Sequence, residues 1–193
     1  MKIYLVEDDK DLAQTIATAM QVEGIEAEIY FSAESFIEQY SSNFVGCVLL
    51  DVKLPGMSGI ELQTWLLDMG CDLPIIFITG YGEIPDVVQA VRMGAVDFIE
   101  KPFSMSSLME VLGNAFDLLE EYQENLNRIS VLTSRERNVF DLLIEGKSNK
   151  LVARELEIGL RTVEFHRKNI LEKLDVGSVS GLVEISRSLP ASR

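Results

Sequence analysis

Five short, almost unbroken apolar runs recur between positions 3 and 99: IYLV (3–6), AEIYF (27–31), VGCVLL (45–50), IIFI (75–78) and VDFI (96–99). Between them stand segments with apolar residues at helical spacing, such as Leu12, Ile16 and Met20, or Ile60, Leu62, Leu66 and Leu67. A strand that is apolar at nearly every position is buried on both faces, and strands joined through helices run parallel. This pattern constrains the first part of the chain to an α/β fold, a doubly wound, flavodoxin-like sheet of five parallel strands. Ser58 and Glu61 make a capping box at the start of the third helix, and Gly24 and Gly94 are expected helix stops.

From Thr133 onward no strand pattern remains. Four helical segments follow, near 133–145, 148–156, 160–174 and 178–188, punctuated by Gly146, Gly159 and Gly177, with a second capping box at Thr133 and Glu136. The expected division is therefore 1–119 for the α/β domain, 120–130 for a linker and 131–193 for a small all-α domain. The linker ENLNRIS (124–130) holds neither Pro nor Gly, and Leu108, Leu112, Ala115, Leu119, Tyr122, Leu126 and Ile129 continue through it at alternating spacings of 4 and 3. Two readings are open. The helix runs on through the linker and its seam helps to pair two chains, or the first three residues pack on the sheet and the later ones continue by chance.

Charge divides along the same line. Met1–Asn125 holds 5 Lys and Arg against 22 Asp and Glu, whereas Leu126–Arg193 holds 12 against 9, within a chain of net charge −14. Two domains with different partners account for such asymmetry. A solvated acidic surface explains the front half equally well, and the basic excess of the back half is too small to prove nucleic-acid binding. No apolar run approaches the roughly 20 residues of a membrane span, and MKIYLVEDD lacks the form of a signal peptide. Cys47 and Cys71 are too few for a disulfide framework. A cytoplasmic protein with no membrane association is expected.

In a doubly wound sheet, ligands collect beyond the carboxyl ends of the strands. The first strand there ends in Glu7-Asp8-Asp9, the third in Asp51, the fourth in Thr79-Gly80 and the fifth in Lys101-Pro102. Crowded carboxylates repel one another unless a cation neutralises them, and oxygen-only ligands suit Mg²⁺. An aspartate beside such an ion can act as a nucleophile toward phosphorus. Asp51 is then the candidate acceptor, Asp8 the main metal ligand and Glu7 its support, with Thr79 and Lys101 supplying donors to the transferred group. Each residue alone reads more simply as a turn or cap; their placement on one edge favours a site.

These residues carry a resemblance. LVEDD (5–9), LLDVKLPGMSG (49–59), ITGYG (78–82) and GAVDFIEKPF (94–103) resemble, in order and spacing, the receiver signatures of two-component response regulators, more closely those of the FixJ/NarL group. The resemblance implies that Asp51 is the phospho-acceptor and that Glu7 and Asp8 form the acidic pair. It also implies that the backbone carbonyl of Lys53 completes a Mg²⁺ site, that Thr79 and Phe98 form a switch pair, and that Lys101–Pro102 is cis. Glu7 stands where many members have Asp, and Phe98 lacks the hydroxyl of the commoner Tyr.

Residues 148–174 describe two helices joined by a turn at Glu157-Ile158-Gly159, the second helix carrying Arg161, Arg167, Lys168 and Lys173, with Val163, Ile170, Leu171 and Leu174 toward a core. This is a helix-turn-helix pattern, although a basic amphipathic helix alone is commonly just solvated. The longer stretch from LTSRERNVFDLL (132–143) through HRKNILEKL (166–174) resembles the LuxR-type DNA-binding domain. By that resemblance Glu164, Phe165 and Lys168 lie where bases are read, and Lys150, Arg161, Thr162, Arg167 and Lys173 lie near the phosphate backbone. His166 is expected to be structural or phosphate-facing.

Taken together, the resemblance implies a response regulator that a sensor histidine kinase phosphorylates on Asp51, with homodimerisation, promoter binding and RNA polymerase as a further candidate partner. It implies an acceptor of phosphoryl groups rather than an enzyme, with at most slow autodephosphorylation. Two rivals are weighed against it. An Asp-nucleophile phosphatase needs a second aspartate two residues after the first, where this chain has Lys53. A small-molecule-sensing LuxR regulator needs an apolar ligand pocket where this chain concentrates acids.

Overall fold

The computed structural model describes residues 1–80 and 84–187, with backbone only for 84–87 and 187. Tyr81 and Gly82 of the fourth-strand motif, and residue 188 of the last expected helix, lie outside the described residues. The chain forms two compact units, Met1–Leu119 and Glu120–Arg193.

In the first unit β1 (Lys2–Val6), β2 (Glu26–Tyr30), β3 (Cys47–Asp51), β4 (Ile75–Thr79) and β5 (Asp97–Glu100) alternate with α1 (Lys10–Val22), α2 (Ala33–Gln39), α3 (Gly59–Asp68), α4 (Ile84–Arg92) and α5 (Met105–Ser130). All neighbouring strands are parallel, in the order β2-β1-β3-β4-β5. Alternation of side chains along each strand builds two cores. Ile3, Leu5, Cys47, Leu49, Ile76 and Ile78 pack on one face against Ala13, Ile16 and Met20 of α1 and Leu108, Leu112 and Ala115 of α5. Tyr4, Val6, Val48, Leu50, Ile75 and Phe77 pack on the other, against Phe36, Leu62, Leu66 and Ala90.

Each strand's limits shift by one or two residues from those expected, and two of the shifts have a visible cause. β3 begins at Cys47 because Gly46 takes φ +149°, where a Cβ would lie 2.3 Å from the Lys2 carbonyl oxygen; Val45 is left exposed. β2 stops at Tyr30, and Phe31 turns outward beneath the Lys10 ammonium, 5.5 Å from its ring centre. The margins of the sheet are β2 and β5. On β2, Glu26 and Glu28 both pair with Lys2, at 3.0 and 2.9 Å, and the Tyr30 hydroxyl donates to Glu28 at 2.6 Å.

The second unit contains α6 (Ser134–Ile144), α7 (Asn149–Glu155), α8 (Leu160–Lys173) and α9 (Val179–Arg187) around a core of Ile129, Val139, Phe140, Leu143, Val152, Val163, Ile170, Leu174, Leu182 and Ile185. Thr133 and Glu136 form the expected capping box. Gly159 is the N-cap of α8 and offers no side-chain bond, which costs only a few tenths of a kcal/mol relative to a capping hydroxyl.

α5 is continuous for 26 residues and passes through 120–130. The heptad pattern along it splits by partner: Leu108, Leu112 and Ala115 belong to the sheet's core, Ile129 belongs to the helical core, and Leu119, Tyr122 and Leu126 are half-buried. Among the described residues no helix is long and apolar enough to cross a membrane, and both cysteines are free.

Candidate functional site

The winding of the sheet reverses between β1 and β3, and a crevice opens at the carboxyl ends of such strands. β1 delivers Glu7 there and β3 delivers Asp51, both buried, while Asp8 beside them is exposed. One carboxylate oxygen from each of the three lies within 4.8 Å of the others. Asp51 is held at both oxygens: Oδ1 accepts the Lys53 N–H at 2.7 Å and Oδ2 accepts Lys101 Nζ at 2.5 Å. The same ammonium donates to Glu7 Oε2 at 2.8 Å, and Glu7 Oε1 accepts the Asp9 N–H at 3.2 Å. Asp9 itself is committed to capping α1, accepting from the N–H groups of Asp11 and Leu12.

One cation thus serves two buried anions. Burial raises the Glu7 carboxyl; the Lys101 bond pulls it back, the Asp51 charge raises it again, and the balance leaves it at about 7. Burial opposes the Lys101 charge, yet its bonds to Asp51 and Glu7 hold the ammonium above its ordinary value. A crevice with three carboxylates and one ammonium retains negative charge, and its donors are all hard oxygens. Such a set fits a hard divalent cation.

Thr79 is buried, and its hydroxyl donates to the Gly80 carbonyl at 3.2 Å. Phe98 sits on β5 opposite Phe77, with its side chain 45% exposed. The Lys101–Pro102 bond is cis.

Two supports of the crevice and one buried polar residue of α3 escaped sequence reasoning. Gly59, the first residue of α3, donates its N–H to the Val52 carbonyl, and a Cβ there would lie 2.1 Å from the Asp51 carbonyl oxygen. Glu34 of α2 accepts the Met57 N–H at 3.0 Å, bracing the β3–α3 loop. Gln63, a polar residue that reads as surface, is buried; its amide donates to the Ala90 carbonyl at 3.0 Å, and its Oε1 has no partner. The only cue in the chain was the glycine at the end of the PGMSG turn.

On the helical unit, Lys150, Arg161, Thr162, Glu164, Phe165 and Lys168 are exposed. Arg161, Glu164, Phe165 and Lys168 fall on the face of α8 opposite buried Val163 and Ile170. Arg167 is half-buried and donates to Asn149 of α7 at 3.3 Å, and open grooves on either side of it are both lined by Asn149, Glu164 and Arg167. Lys173 is set apart from this group: its Nζ lies 2.7 Å from Glu136 Oε2 and 3.5 Å from the Val131 carbonyl. His166 is half-buried with Nδ1 unpartnered, its ring edge-on to Phe165 at 6.0 Å.

Residues 3–113 match the family of response regulator receiver domains, and residues 130–186 match the bacterial regulatory proteins of the luxR family. The chain belongs to the two-component response regulators. It is 36% identical to the response regulator protein TmoT of Ectopseudomonas mendocina, over 98% of this chain and 90% of that one. It is 35% identical to the transcriptional regulatory protein FixJ of Bradyrhizobium diazoefficiens, over 95% and 93%. Among solved structures it resembles the response regulator StyR (TM-score 0.60, 36% identity, 96% of this chain and 98% of that). Full-length FixJ from B. japonicum is similarly close (TM-score 0.60, 34% identity, 97% and 96%). This response regulator combines a receiver with a LuxR-type helix-turn-helix and acts as a DNA-binding transcription regulator; those two domains imply a histidine kinase partner and DNA.

Proposed function

We propose that Asp51 is the phospho-acceptor and that its phosphorylation promotes dimerisation and promoter binding. The observation that carries this reading is the setting of Asp51: a buried carboxylate at the crevice of the sheet, bonded to Lys101 and flanked by Glu7 and Asp8. An Asp51 carboxylate oxygen attacks the phosphorus of a kinase phosphohistidine; the O–P bond forms, the N–P bond breaks, and the imidazole leaves with the electron pair. Glu7, Asp8, Asp51 and the Lys53 carbonyl would hold Mg²⁺, which supplies positive charge for the phosphoryl oxygens when bound. Lys101, already beside Asp51 Oδ2, offers its ammonium to the same group.

Phosphorylation adds charge and strong acceptors at Asp51. The Thr79 hydroxyl then exchanges the Gly80 carbonyl for a phosphoryl oxygen, and the exposed Phe98 ring turns inward into the vacated space. Because Phe98 has no hydroxyl, packing alone drives that turn. The result is a population shift between two states of one fold. Two chains then place two α8 helices on paired half-sites, with RNA polymerase as a further contact.

The protein works in the cytoplasm as a phosphoryl acceptor and not as an enzyme; slow loss of its own phosphoryl group is its only turnover. Lys53 supports this against a phosphatase, which needs a carboxylate at that position. A small phosphodonor with Mg²⁺ tests the reading. The wild type should label and Asp51→Asn should not, and labelled protein should sediment as a dimer and bind paired half-sites more tightly. Equal labelling of Asp51→Asn overturns the assignment.

A further inference from the structure

The last turn of α5 lies within the helical unit. Ile129 is a core residue there and Asn125 is buried. Between them Arg128 donates from Nη2 to the carbonyl of Leu174 at 2.5 Å, with Nη1 3.5 Å from Asn125 Oδ1. Leu174 is the C-cap of α8. The final carbonyls of a helix have no intrahelical donors and form the negative end of its dipole, so a guanidinium there makes a charge-assisted bond where one is most favoured. The other cation at this end, Lys173, is drawn to Glu136. α5 therefore supplies a side-chain donor to the end of the helix carrying Arg161, Glu164, Phe165 and Lys168.

The opposite end of α5 belongs to the receiver, through Leu108, Leu112, Ala115 and Phe116. We propose that Arg128 is a positioning residue: its bond to the Leu174 carbonyl fixes the C-terminal end of α8, and through it the state of α5 sets the affinity of α8 for DNA. The second clause rests on the reading that phosphorylation of Asp51 strengthens DNA binding. The guanidinium touches neither the phospho-acceptor nor the outer face of α8, so its effect is on how well one controls the other.

The test uses the full-length protein with Arg128→Met, which keeps an apolar stem and loses the donors, and Arg128→Lys, which keeps the charge. Three quantities are read: labelling of Asp51 by a small phosphodonor, hydrogen exchange, and affinity for a duplex selected by the wild type from random oligonucleotides. The exchange probes are the amides of Leu174, Asp175 and Val176, which close the last turn of α8 on Ile170, Glu172 and Leu171. Arg128→Met should label as the wild type does and exchange faster at those amides. Its gain in DNA affinity on phosphorylation should shrink by about fivefold or more, the lower end of ordinary coupling, and Arg128→Lys should restore part of it. Unchanged exchange overturns the clamp. Faster exchange with the full gain retained overturns the coupling and leaves Arg128 a stability residue. A wild type that binds equally in both forms overturns the coupling together with the regulatory reading, and is recognised because that failure appears without any substitution.

Discussion

Lys173 was expected beside the DNA backbone, and the structure turns it toward its own domain; replacing it separates the two roles. Its ammonium lies 2.7 Å from Glu136 Oε2, the oxygen that also accepts the Thr133 N–H at 2.9 Å and hydroxyl at 2.8 Å. Burial raises the Glu136 carboxyl, but the Lys173 and Thr133 bonds together outweigh it and hold the group at about 2, down from 4.5. At about 1.36 kcal/mol per unit, the net of these opposing effects favours the charged form by roughly 3 kcal/mol before solvent screening. The Lys173 side chain is more than a third exposed, so its own share falls to about 1–2 kcal/mol, between a surface pair and a buried one. Lys173→Met should destabilise the helical unit by that amount at pH 7. Because the folded value of Glu136 is depressed, this contribution is present above about 4.5 and is lost as pH falls toward 2, so the gap between wild type and variant should close over that window. Urea unfolding of the full chain, followed through the methyl resonances of Val139 and Leu143, measures it. The salt dependence of DNA binding should keep its slope, whereas a lost phosphate contact would reduce that slope by about 0.9. Undiminished stability with a reduced slope would refute the reasoning and return Lys173 to the DNA.

Gly59→Ala forces a Cβ against the Asp51 carbonyl oxygen, a backbone atom that can yield only by moving Asp51. Labelling should fall on the order of 10- to 100-fold, while Gly113→Ala in α5, with open space around it, should label normally; equal labelling of both would remove Gly59 from the site. Glu164→Ala removes the carboxylate from the outer face of α8, so affinity for random-sequence DNA should rise and the preference at one cytosine-containing position should relax. Selection from random duplexes with each protein would show an identical motif if Glu164 faces away from the bases.

The parts of the fold that follow a simple period were legible. Strands apolar on both faces announced a parallel sheet, and its order then placed Glu7, Asp51, Thr79 and Lys101 at one edge, because each stands where a strand ends. The capping boxes at Ser58 and Thr133 were equally local, needing only two residues three apart. What stayed hidden depends on distant partners. Gln63 has the polarity of a surface residue and lies in the core because Ala90, 27 positions away, offers a carbonyl. Lys173 and Arg167 are both basic residues of α8, and only the fold shows one bound to Glu136 and the other to Asn149. Gly46 reads as part of a strand until the Lys2 carbonyl is found against it. The seam along α5 was periodic throughout, but the period could not tell that its two ends serve different cores.

The margins of the sheet bear on how the protein behaves when crowded. An open parallel sheet leaves unpaired N–H and C=O groups along its two outer strands, a template for runaway strand addition. Here the outer strands are β2, with Glu26 and Glu28, and β5, with Asp97 and Glu100. A second copy approaching edge to edge would bring carboxylate against carboxylate. The greasiest segments, Val48–Leu50 and Ile75–Ile78, are kept on two of the three strands with a neighbour on each side. The acidic borders thus oppose amyloid-like, edge-to-edge association of this regulator.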